Sequence, residues 1–440
     1  MSYLKLNLAA LAGLLLLTAA PARAQDGGAL LDLLVKKGIV NNQEAEDLRV
    51  QMMKDFTANT SAGKLNLSSA ISDFKLSGDM RIREQYETQA PEVNPANVTN
   101  ERFRNRFRFR LNGDVGLQKG WSAGFALETA AATDSGNQTL QDGMDDYGVF
   151  LARAYVGWKP NLNWNFVLGK QKNPLYTTDL VWDADINPQG FTENYTKFIG
   201  AKDTFEVRAG QFIMDDRAET TAGPSGRDAW LFTQQAVYTH WFGKDEIGNL
   251  TSSFIIAPGF MKYNGSVLDG LTGEGALNTT TRYLTNFVLP GEINFVNKQG
   301  KGTSWKLYGD FSHNFEAANR VQQVYGIAPT AGFSTDANAW LLGAGYALGT
   351  GKVQGEYSLK VDYRRIGIGS IDPNVNDSDF GFSFLNQAGW KGAFSYNVTD
   401  FTNFNLTYFN TKHVQNGLNQ ATIAARNHTQ LLQVDLVVKF

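Results

Sequence analysis

From Phe74 onward the chain alternates apolar and polar positions with a period of two, and the alternation recurs to its end. Phe74, Leu76, Met80 and Ile82 share one parity, while Asp79, Arg81 and Arg83 take the other. The stretch Phe103 to Leu111 sets Phe103, Phe107, Phe109 and Leu111 against Arg104, Arg106, Arg108 and Arg110. Successive side chains of a strand point to opposite faces, so each such stretch predicts a β-strand with one oily and one charged face. Further strands are expected at Trp121 to Leu127, Phe150 to Trp158 and Trp164 to Leu168. They continue near residues 203–213, 228–241, 248–262, 280–297, 302–313, 336–348, 351–364, 380–396, 400–412 and 428–440. Strands of about 9 to 14 residues exceed the five or six usual in a soluble sheet and suit tilted strands that cross a bilayer.

The connections alternate in length. Gln118 to Gly120, Lys159 to Leu162 and Gly349 to Gly351 are short turns. Thr88 to Asn100, Asp134 to Asp146, Gln171 to Lys202, Asp215 to Arg227 and Asn319 to Asp336 are long and polar. Short turns on one rim and long loops on the other characterise membrane barrels. The segments sum to about 15, and closed single-chain barrels normally have even numbers. The expected fold is therefore all-β: a closed antiparallel transmembrane β-barrel of about 16 strands, with one hairpin misread between Thr281 and Asn297. A soluble sandwich is the competing architecture, and it does not need so many long strands.

The segment before the strands reads differently. Residues 1–24 carry Lys5, an apolar run from Leu6 to Ala20 and the small-x-small site Ala22-Arg23-Ala24, and are expected to be a signal peptide. Residues 25–69 are expected to form short helices and a linker in the periplasm. Ala29 to Lys37 is amphipathic and ends at Gly38, Asn42 can cap a second helix, and Leu48, Met52 and Phe56 give that helix an apolar side. Residues 70–440 are assigned to the barrel.

Composition narrows the chemistry. The 440 residues include no Cys, which removes disulfides and thiolate catalysis, and the net charge of -3 does not suggest a nucleic-acid binder. His240, His313, His413 and His428 are scattered without ligand spacing. Asp372 to Asp377 starts like a calcium loop, but Asp377 and Ser383 stand where Gly and Glu are required, so a polar turn is expected. No nucleophile elbow or phosphate-cradling glycine loop is present. Catalytic, cofactor-binding and metal-binding roles are not expected.

Parity places Arg81, Arg83, Arg104, Arg106, Arg108, Arg110 and Arg153 on the face opposite the oily residues. In a barrel that face lines the lumen, where guanidinium groups favour anions. The alternative is structural pairing with acidic residues such as Asp79, Glu84, Asp114 and Glu128. The segment Lys170 to Tyr195, with Trp182, Asp183, Asp185 and Glu193, is the candidate constriction loop. An external lid is the other reading of that segment.

Three stretches resemble the putative porin family of Gram-negative outer membranes: Leu34-Val35-Lys36-Lys37-Gly38-Ile39-Val40, Leu168-Gly169-Lys170-Gln171-Lys172-Asn173-Pro174, and Asp179 to Gly190. The resemblance spans essentially all of the chain after residue 24. It implies a multi-pass β-barrel channel in the outer membrane, in contact with lipid and passing small hydrophilic solutes. The terminal Phe440 resembles the signal read by the barrel assembly machinery. Passive diffusion through an arginine-lined, anion-favouring lumen is the expected function. A barrel serving mainly as an adhesin or cell-wall tether is the alternative. A homotrimer is compatible with an oily outer wall.

Overall fold

The computed structural model describes residues 35–37, 43–46, 48, 68–91, 100–130, 136–140, 143–144, 146–216, 228–269, 271–272, 279–326, 335–415 and 426–440. The expected signal peptide, the Asn42 cap, Met52, Phe56 and most of the linker lie outside them. In the first unit, Met1–Ala70, residues 35–36, 43–46 and 48 are helical. The second unit, Ile71–Phe440, is the barrel.

Sixteen antiparallel strands close on themselves. In chain order they are β1 (Ile71–Pro91), β2 (Asn100–Leu117), β3 (Trp121–Thr129), β4 (Val149–Trp158), β5 (Trp164–Lys170), β6 (Gln189–Ile199), β7 (Asp203–Asp215) and β8 (Ala229–Lys244). Next come β9 (Leu250–Ile256 with Gly259–Asn264), β10 (Thr285–Val288 with Gly291–Asn297), β11 (Thr303–Asn314) and β12 (Asn338–Leu348). The last are β13 (Tyr357–Ile366), β14 (Gln387–Asn397), β15 (Thr402–His413) and β16 (Arg426–Lys439). Strand β1 closes the ring on β16, with Arg83 opposite Asp435 and Ile82 opposite Leu436. β9 and β10 are interrupted side by side at Pro258 and Pro290, because proline cannot donate to the ladder. The Ala257 amide donates to the Pro290 carbonyl at 2.9 Å and so stitches the two breaks together.

The missing strand is β6, not a hairpin between Thr281 and Asn297. That second region is one interrupted strand. β6 lay inside the expected loop Gln171 to Lys202, because Glu193 falls between Phe191 and Tyr195 and breaks the oily row. Two other expectations also change. Residues 351–356 and 380–386 are not strand, and α1 (Ala317–Tyr325) occupies part of the expected loop from Asn319 to Asp336.

The outward parity is apolar almost everywhere, with Leu342 at 66% exposure, and that surface is an oily band. Aromatic rows flank it. Beside the short turns, Trp121 stacks on Trp158 at 5.7 Å and Trp164 meets Tyr195 at 4.9 Å. Nearer the long loops, Tyr363 lies between Trp340 and Trp390. Such paired girdles mark the two membrane interfaces of a barrel.

The buried apolar core sits inside the ring. Inward residues Leu231, Met261, Val288, Leu341, Ile366 and Leu431 pack against Leu180, Trp182, Val375 and Phe380 from two connections that fold into the lumen. This core draws on the wall from β7 to β13 and on β15 and β16. The inner faces of β1 and β2 contribute nothing to it.

Candidate functional site: a cavity between an arginine wall and two inward loops

The first inward loop, residues 171–188, is anchored along its length. The Thr192 hydroxyl donates to Gln171 Oε1 at 3.0 Å. Beside the Pro258 break, Gln235 both accepts from the Tyr176 amide and donates to its carbonyl, each at 2.8 Å. The Thr178 hydroxyl donates to Asp310 at 2.7 Å. Trp182, 4% exposed, packs near Phe212 and donates from Nε1 to the Ile186 carbonyl at 3.0 Å.

The second, residues 367–386, had no counterpart among the expected loops. Its Asp372-to-Asp377 run, expected to be a polar turn, is buried apart from the half-buried Asn374. The Thr280 hydroxyl donates to Asp372 at 3.0 Å, and burial raises the Asp372 carboxyl above the ordinary carboxylate range. Among the described residues no acidic or histidine cluster is arranged to hold a metal. The two loops clasp each other: the Asp183 amide donates to the Val375 carbonyl at 2.6 Å and the Asp377 amide to that of Asp179 at 3.1 Å.

A buried cationic pair ties both loops to the wall. Arg364, 1% exposed, bonds Asp362 at 2.6 Å, Asp377 at 2.8 Å and Asp179 at 3.5 Å. Lys391 bonds Asp179 at 2.8 Å and Asp377 at 3.2 Å. The Lys391 ammonium holds the Asp179 carboxyl well below its usual range. Asp183 is pushed the other way, up to about 7, first by burial and then by the neighbouring Asp377.

Facing these loops is the inner surface of β1 and β2. Arg81 stands opposite Arg108, and Arg83 opposite Arg106. Like charges directly across a ladder repel, so each guanidinium needs a partner. Arg83 grips Asp435 in a fork at 2.7 and 2.9 Å. Asp79 accepts from Arg108 at 3.1 Å and from Arg110 at 2.8 Å, and Asp185 lies 3.4 Å from both. Arg104 bonds Glu87 at 2.8 Å. Arg81 and Arg106 instead meet Asn137, through its side chain and its carbonyl respectively, and Arg106 also meets Gln85 at 3.2 Å.

The arginine wall and the two loops enclose a cavity of about 750 Å³. It brings together Arg81, Arg83, Arg104, Arg106, Arg108 and Arg110 with Asp183 and Asp185, and adds Asp179, Asp377, Asp379, Lys391 and Asn137, which the alternation pattern does not place in the lumen. Trp182 lies behind this surface in the core. Arg153 borders a separate cavity of about 330 Å³ with Asp114 and Arg208. Glu193 is on β6 rather than in the loop, in the outer row between Phe191 and Tyr195, and Gln211 donates to it at 3.4 Å. Glu84 is also outward, between Ile82 and Tyr86, so it cannot pair across the lumen. His240, His313 and His428 bond Asp203, Asn338 and Asn410 singly.

The family model described as "Putative porin" matches residues 47–251. No curated protein matches the chain. Among solved structures, a triple mutant of Rhodopseudomonas blastica porin is similar at 10% identity and TM-score 0.43, covering 84% of this chain and 100% of that one. A high-pH structure of Pseudomonas putida OprB is similar at 9% identity and TM-score 0.48, covering 83% and 94%. The family match is confined to residues 47–251, and the closed barrel with its oily, girdled exterior is a fold typical of outer-membrane proteins.

Proposed function

We propose that hydrophilic solutes cross the outer membrane by passive diffusion along the arginine wall, and that the cavity between that wall and the two loops is the filter. The observation that carries this is the one-sided filling of the lumen. The apolar core draws inward residues from β7 to β13 and from β15 and β16, whereas the inner faces of β1 and β2 stay polar. Guanidinium groups on one side and loop carboxylates on the other set up a transverse field, which sorts solutes by charge as well as size. The basic side gives a modest preference for anions. Reconstitution in planar bilayers tests the reading: the folded protein conducts, and replacing Arg104, Arg106, Arg108 and Arg110 with glutamine moves the reversal potential toward cations. An unchanged reversal potential removes these residues from the filter.

Self-association is supported by a separate feature. Glu193, Gln211 and Gln234 form a polar patch on the outer face, within the band that lipid would otherwise cover. A carboxylate facing hydrocarbon is unfavourable, and a second copy of this chain can supply hydrogen-bonding partners for the patch. A homotrimer is the assembly proposed. The double variant Glu193→Leu, Gln234→Leu is expected to fold as a barrel yet run as a monomer in mild detergent. A variant with wild-type mass there would place the interface elsewhere.

A further inference from the structure

We infer that Arg81 and Arg106 form a discrete site for the oxyanion head of a small dianionic solute. This rests on the diffusion-channel reading and adds a binding step to it. The inference comes from how the guanidinium charges on the wall are matched. Arg83, Arg104, Arg108 and Arg110 each have a carboxylate oxygen within 3.4 Å. Among the described residues Arg106 has no carboxylate partner; its partners are the Gln85 side-chain oxygen and the Asn137 carbonyl. Arg81 has only Asp435 at 3.9 Å, and that carboxylate is already forked by Arg83. Two positive charges, diagonal to one another on adjacent strands, therefore border the cavity without a close counter-charge.

Burial sharpens the case. Arg81 is 9% exposed, and the Nε–H groups of Arg81, Arg104, Arg106 and Arg108 are all enclosed without an acceptor among the described residues; of these four, Arg81 and Arg106 are the two that also lack a close carboxylate. Enclosed polar hydrogens normally find a partner, and a guanidinium fork matches the paired oxygens of a carboxylate or phosphate. Asn137 touches both groups, which fixes their spacing. Two unmatched charges select a doubly charged head over a singly charged one. Phosphate and a dicarboxylate share this chemistry.

The test is block of chloride current through the reconstituted full-length protein, titrated at one pH with succinate, acetate and inorganic phosphate. Saturable block is expected, with succinate or phosphate acting at lower concentration than acetate. The better of the two identifies the head group. Arg81→Gln and Arg106→Gln should each raise the half-blocking concentration roughly tenfold, the scale of one charge-assisted hydrogen bond, while Arg104→Gln changes it less. Arg81→Lys and Arg106→Lys keep the charge and lose the fork, so intermediate values are expected even if a glutamine variant fails to fold. A conducting channel that shows no saturable block overturns the site and leaves the diffusion reading standing. Equal effects of all three glutamine variants would show a diffuse potential rather than a site. Absence of conductance from folded protein would overturn the diffusion reading itself.

Discussion

Removing Arg364 should release both inward loops. Its guanidinium reaches three carboxylates, on β13 and on each loop, while almost fully enclosed. Deleting one partner of a buried ion pair costs about 3–5 kcal/mol, chiefly because the remaining charge is stranded. In Arg364→Ala, Lys391 still contacts Asp179 at 2.8 Å and Asp377 at 3.2 Å, so those two keep a cation. Asp362 does not; at 5% exposure it retains the Tyr308 hydroxyl at 3.1 Å. The loss therefore falls near the lower end, about 3 kcal/mol. That corresponds to roughly a hundredfold shift from docked toward undocked loops. Single-channel recording is the assay, with larger and noisier openings expected while the barrel stays folded by its heat-dependent gel mobility. Pairing Arg364→Met with Asp362→Asn removes the stranded charge and should quiet the channel again. Wild-type conductance in Arg364→Ala would refute the idea that this cluster holds the loops.

Three further outcomes are expected. Trp182→Ala empties a buried aromatic site, at a cost of about 3–5 kcal/mol borne by the first loop, and should raise mean conductance; an unaltered current histogram argues against a packed anchor. Asp183 has a raised folded-state value of about 7 against an unfolded value of about 3.9, so it stays protonated in the folded protein when it would ionise in the unfolded chain. Its contribution to loop stability is complete below about 4, falls as pH rises through that window and is lost above about 7. The same ionisation adds a negative charge to the proposed filter, so anion preference should decline as pH rises through about 7, and Asp183→Asn should abolish the decline in reversal-potential measurements. The Gln235→Leu variant breaks both hydrogen bonds to Tyr176 and should increase protease access to residues 171–188, which limited digestion of the detergent-solubilised barrel would reveal.

The faces of the wall were legible in the sequence because alternation reports direction. Phe103, Phe107, Phe109 and Leu111 point out, and the arginines between them point in. Alternation says nothing about what lies across the lumen. Residues 372–377 read as a polar turn and 380–386 as the start of a strand; their burial inside the ring involves Arg364 and Lys391, whose partners Asp179 and Asp377 stand far apart in the chain. Glu84 and Glu193 misled for the opposite reason. A carboxylate suggests an inward position, yet strand register fixes both on the outside. β6 was lost to the same effect: one acidic residue in the oily row, with Gly190, Thr192 and Asn194 on the other face, left too little contrast to mark a strand. Position 182 was noticed for its Trp, but only the packed structure separates its anchoring place from the cavity-facing places of Asp183 and Asp185.

The position of the proposed filter follows from what the inner wall can tolerate. A ring of sixteen strands is wide enough to hold a water channel, and an inner row bearing Leu231, Met261, Val288, Leu341 and Leu431 would then expose apolar surface to that water. Leaving it wet costs about 25 cal/mol for each Å² that could be covered. The two loops cover it, and their own apolar residues are buried by the same contact. The same apolar packing does not suit β1 and β2, because their six inward guanidinium groups need polar or charged partners whether buried or wet. Asp185 and Asp379 reach part of the way, at 3.4 Å from Arg108 and 3.8 Å from Arg83. The hydrophobic pattern of the opposite side is thus what would confine the proposed path to the arginine wall. Substitutions that make the inner faces of β8 to β12 more polar should widen the channel even though they touch none of its charged residues.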